Sequence, residues 1–167
     1  MISSPKFDET LARTSGDKWN VTSNDKTSSA EMLVANSLLD QLHDLKATRI
    51  IEDPMAHPER YGMLKPTLTF TAYAKDGQEL GTLRVSRMEV ILTPHSPVPE
   101  STEAAKPQRQ NLAYATTRSD DAVYQIPLQA AVDLENTVNR LHSNNTVPPS
   151  GKPPAAATTP SPALQKK

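Results

Sequence analysis

The chain has 167 residues, 36% hydrophobic and 4% aromatic, and its 18 basic and 19 acidic side chains leave a formal net charge of −1. That balance leaves no basic footprint for nucleic acid, and no stretch approaches the roughly 20 apolar residues of a membrane-spanning helix. Zero cysteines exclude disulfides, thiol catalysis and cysteine-based zinc sites together.

The 15 prolines concentrate at residues 94–107 and 148–162, which leaves roughly 130 residues able to fold around one two-layer core. Residues 1–9 read as an N-terminal extension. They lack the charged and then apolar runs of a signal peptide. A single domain is expected over residues 10–145, with a flexible Pro-rich insertion at about 94–108. Residues 146–167 form a Pro/Ala-rich tail too poor in large apolar side chains to bury a core.

Thr10 to Arg13 and Lys18 to Thr22 are separated by Thr14-Ser15-Gly16-Asp17 and read as a hairpin, with Trp19 and Val21 on its core face. Ser28-Ser29-Ala30-Glu31 fits a capping box. Behind it Met32, Ala35, Leu38, Leu39, Leu42 and Leu45 recur at three- and four-residue steps, so an amphipathic helix is expected to end near Lys46. Ala47 to Ile51 looks extended. Asp53-Pro54 and His57-Pro58 then stiffen a loop, because each proline biases its predecessor away from helix.

Tyr61-Gly62-Met63-Leu64-Lys65-Pro66 is a turn that feeds a strand from Thr67 to Ala74, and Lys75-Asp76-Gly77-Gln78 reverses the chain. Tyr61 and Leu64 are expected to pack under the first helix, with Gly62 supplying backbone freedom. In the return strand Leu83 and Val85 share a face, but Met88, Val90 and Leu92 are out of phase with them. A bulge or break near Ser86-Arg87 would produce that shift. Another hairpin is expected from Asn111 to Thr117 and Ala122 to Ile126, turning at Arg118 to Asp121. A second helix follows, with Leu128, Ala131, Leu134, Val138 and Leu141 as its stripe. The fold class is therefore α+β: a mostly antiparallel sheet built from hairpins, with two amphipathic helices packed on one face.

Few side chains suggest chemistry. Asp53, His57 and Glu59 form the one compact group of ligand-type residues and are the candidate metal ligands. An ordinary exposed loop accounts for them more simply. His43 reads as a solvated helix residue, and His142 as a cation at a helix C-terminus. No Gly-x-Ser-x-Gly elbow or Gly-rich phosphate loop occurs. No catalytic residue and no cofactor is assigned. Tyr73 stands out because its neighbours on that strand face are threonines.

Trp19 in an early strand, Leu42 and Leu45 in a helix, the Tyr61 to Pro66 turn, the Asp76-Gly77 turn and the strand from Val123-Tyr124 to Ile126 occur in an order that resembles domain-of-unknown-function family 4340. Gly62, Leu64, Pro66 and Tyr124 belong to the same set of structural positions. Met63 stands where the family usually has leucine, and Ser86-Arg87 where a glycine often ends the strand. That family is a bacterial extracytoplasmic domain associated with ABC-type transport and gliding-motility loci. The resemblance implies a non-catalytic, periplasmic or cell-envelope interaction module with a membrane-associated protein partner. It assigns no catalytic residues. The alternatives are a small-ligand or metal-ion binding domain using the loop 53–61, a cytoplasmic location and, least of all, an enzyme.

Overall fold

The computed structural model describes residues 1–92, 108–117 and 120–146. Apart from Gln108 and Thr146, which lie in a strand and a helix, the expected Pro-rich insertion at about 94–108 and the tail 146–167 lie outside the described residues. Nine strands are described: β1 (Ile2–Ser3), β2 (Asp8–Arg13), β3 (Trp19–Ser23), β4 (Lys26–Ala30), β5 (Arg49–Glu52), β6 (Leu68–Tyr73), β7 (Glu79–Leu92), β8 (Gln108–Thr117) and β9 (Asp120–Ile126). They form one sheet in the order β4-β3-β2-β1-β6-β7-β8-β9-β5. Every neighbouring pair is antiparallel. Two helices, α1 (Met32–Asp44) and α2 (Leu128–Thr146), share a core with one face of the sheet. This is the α+β class expected from the hairpin-rich pattern.

That core joins Val21, Leu68, Phe70, Val85 and Ala115 of the sheet to Val34 and Leu38 of α1 and to Leu134 and Val138 of α2. Leu134 and Val138 are wholly buried, and a side chain of that size stabilises by roughly 1.5–3 kcal/mol when taken out of water. The predicted α2 stripe is the buried one, with Ala131, Leu134, Val138 and Leu141 all in the core. Trp19 and Val21 share the core face as expected, and the Trp19 indole Nε1 donates to Asn36 Oδ1 of α1 at 3.2 Å.

Several expectations change. Residues 1–9 are not an appendage: Ile2 is buried, and β1 pairs with both β2 and β6 inside the sheet. Ser28 does not cap α1. Asn24 and Asp25, with φ of 49° and 62°, form a two-residue turn that carries the chain into β4, where Ser28 pairs with Val21. The cap position falls on Glu31, which makes no side-chain cap bond. Once α1 starts there, its buried stripe is Val34, Ala35 and Leu38, and Met32 and Leu39 are each 43% exposed.

No bulge lies at Ser86-Arg87, because β7 pairs with β8 in unbroken register from Leu83 to Leu92. The phase shift has a different cause. Val85 faces the helices, as does Arg87, whose Nη2 donates to Glu135 Oε2 of α2 at 2.7 Å. Ser86 is buried on the opposite face, where Gly62 approaches Ser86 and Met88. The covered side of β7 changes, and the strand stays regular. The irregularities fall elsewhere, at Ala72/Tyr73, Ala115/Thr117 and Ile50/Glu52. Asp120 and Asp121 belong to β9 rather than to the turn before it, and residues 118–119 lie outside the described residues.

Candidate functional site

The structural positions that carried the resemblance are spread over both faces of the sheet. Pro58–Tyr61 forms a short 3₁₀ helix that ends at Gly62, whose φ of 70° is left-handed. The Met63 amide returns to the Pro58 carbonyl at 2.9 Å. This unit does not sit under α1. Tyr61 packs edge-on against Tyr114 of β8 at 5.2 Å and 71°, on the sheet face away from the helices. Met63, Tyr114 and Val123 centre a second, smaller core there. Leu64 points outward and is 68% exposed. The predicted packing under α1 fails because the helix layer is already filled, and only the opposite face was left for the 3₁₀ turn to cover.

Desolvation raises the Tyr61 phenol above its ordinary range, and the nearby Glu52 carboxylate adds to the effect. Desolvation raises Tyr114 as well. A raised folded-state value means that the neutral phenol stabilises the fold at pH below the ordinary tyrosine range. That contribution is lost as pH rises through the folded-state value. In an alkaline absorbance titration, Tyr61→Phe should therefore remove a late-ionising phenol. Loss of an early-ionising one would contradict the assignment.

The candidate metal loop is only partly assembled. His57 Nδ1 lies 3.2 Å from Glu59 Oε1, with both side chains about half exposed. The Glu59 carboxyl is lowered, chiefly by a backbone hydrogen bond and further by His57. Asp53, exposed before the cis Asp53-Pro54 bond, joins no such group. Among the described residues no set of three or more histidine, aspartate or glutamate side chains could hold a metal ion.

His43 is solvated, within 3.1 Å of Asp44. His142 is not simply a cation at a helix end. Its Nδ1 is 2.8 Å from Oε1 of Glu9, a β2 carboxylate only 1% exposed. Its ring stacks on Phe7 at 4.2 Å and 6°. Nothing in the local sequence around either residue signals this pair, which joins positions 133 residues apart. A cleft of about 160 Å³ lies between Phe7, Thr67, Glu135 and Asn139.

At the far end of the β6–β7 hairpin the Gly77 turn closes as expected. Gly77 has φ 85°, and the Gln78 amide donates to Asp76 Oδ1 at 3.1 Å. The bulge next to it places Tyr73 opposite Glu79 and leaves Leu80 as the extra residue. Tyr73 is 49% and Leu80 67% exposed. Tyr124, the last of the structural positions, pairs with Ala115 and with Ile50 of the edge strand β5.

The family model for the domain of unknown function DUF4340 matches residues 19–152. β1 and β2 thus lie ahead of the matched stretch although they are inner strands of the sheet. No curated protein and no solved structure matches the chain. With the match running from Trp19 on β3 past the end of α2, the chain belongs to the DUF4340 family.

Proposed function

We propose that this domain is a non-catalytic interaction module of the cell envelope, accessory to a membrane transporter or surface-assembly complex. The observation that carries the reading is the bulged tip of the β6–β7 hairpin, where Tyr73 and Leu80 are held in water. A bulge re-aims side chains at a defined place in a strand. Large exposed apolar groups on a rigid element are the usual anchors of a protein contact. The envelope location and the transporter context are supported by the association of the family with such loci. No helix among the described residues is long and apolar enough to cross a membrane.

The test is site-specific photo-crosslinking in the cells that make the protein, with the probe at position 73 or 80 and at exposed Thr10 as control. The reading expects a transporter or surface-assembly subunit to be captured from 73 and 80 and not from 10. Equal capture from all three positions would remove the hairpin tip from the interface. Recovery of the chain only with cytoplasmic proteins would overturn the envelope assignment.

A further inference from the structure

Among the described residues the sheet ends on one side at β4, whose one strand partner is β3. This edge is regular, for its five residues pair with β3 without a register shift. The two-residue Asn24-Asp25 turn makes Ser23 and Lys26 the closing hydrogen-bonded pair, so alternate residues of β4 point their amides and carbonyls the other way. Those residues are Thr27 and Ser29. The short Thr22 Oγ1–Thr27 Oγ1 distance of 2.8 Å agrees with a non-hydrogen-bonded pair, where side chains approach most closely. The opposite edge, β5, is interrupted by a bulge at Ile50/Glu52 and is a poorer template for another strand.

From this edge we infer that two copies of the chain pair through β4 about a two-fold axis at Ser28, continuing the sheet from one molecule into the other. The register follows from the geometry. Thr27 of one copy exchanges both backbone bonds with Ser29 of the other, and the two-fold repeats the exchange. Lys26 then lies across from Ala30 of the second copy, beside Glu31, the residue that leads into α1. Lys26 has no carboxylate partner among the described residues. Glu31 is exposed, and its carboxylate accepts from Asn144 Nδ2 at 3.1 Å.

The two-fold creates two Lys26–Glu31 contacts between copies, and that charge complementarity selects a second copy over an unrelated strand. Beside Glu31, Met32 and Leu33 are 43% and 69% exposed at the start of α1. There they can cover the aliphatic stem of the incoming lysine. A lysine on an edge strand ordinarily discourages pairing. In this register it finds its counter-charge.

The test is sedimentation of the full chain over a concentration series, with Lys26→Glu, Glu31→Lys and the double exchange. The wild type is expected to dimerise. Each single exchange places like charges together at two symmetric sites and should raise the dissociation constant about tenfold or more. The double exchange restores opposite charges and should recover most of the affinity. Ser29→Pro, which removes an outward amide and leaves the β3 bonds in place, should also abolish the dimer while retaining the native circular dichroism spectrum. A chain that stays monomeric at the highest soluble concentration overturns the inference. So does a dimer indifferent to all of these changes.

Discussion

Gly62→Val is expected to destabilise the domain by about 2–5 kcal/mol. This combines ~1–2 kcal/mol for a side chain forced into the left-handed region with ~1–3 kcal/mol for overpacking. Gly62 has φ 70°, and a Cβ built on it would collide with the Ser86 hydroxyl and press on Met88 at 3.3 Å. Ser86 is only 2% exposed, so its hydroxyl has no room to retreat into water. Gly77 is the internal control. Its φ is 85°, but nothing lies within 4 Å of the position a Cβ would take. Gly77→Ala should therefore cost only about 1 kcal/mol of backbone strain, and Gly62→Ala clearly more. Urea unfolding of the two alanine variants decides the matter, since equal losses would remove the packing argument. Adding Ser86→Gly to Gly62→Ala should recover part of the loss, as contacting residues couple.

Removing the imidazole of His142 should have an effect of similar size. His142→Ala leaves the Glu9 carboxylate in a site 1% exposed, where Oε1 has lost its partner and Oε2 already lacks one. Leaving a buried polar group without its hydrogen-bond partner costs about 1–3 kcal/mol, because the group stays desolvated. The loss of the stack on Phe7 adds to it. The distinctive expectation is the coupling. Glu9→Gln combined with His142→Ala should be more stable than His142→Ala alone, because a neutral amide is less costly to leave desolvated than a carboxyl group. A double variant whose loss is the simple sum of the two single losses would show that the pair is not an energetic unit.

Much of the scaffold was legible in the residues. The α2 stripe, the Asp76-Gly77 turn and the shared face of Trp19 and Val21 follow from periodicity and turn chemistry, which act over a few residues. β4 was missed because Ser28-x-x-Glu31 is a true capping pattern. It lost to a turn whose two left-handed residues, Asn24 and Asp25, prolong the hairpin. The phase change in β7 was visible, but its cause was not. A change of period looks the same whether a strand slips or its cover moves to the other face.

By itself, then, the sequence determined which segments turn, which pair as hairpins and which stripe α2 buries, since each is settled by neighbours along the chain. Only the tertiary structure decided where the pieces meet. It set Ile2 inside the sheet, the Tyr61 turn on the face away from the helices, Glu9 against His142 and Leu80 out at a bulge. Those placements depend on which surface remains uncovered after the helices dock. That competition among distant parts of the chain leaves no mark in any local pattern.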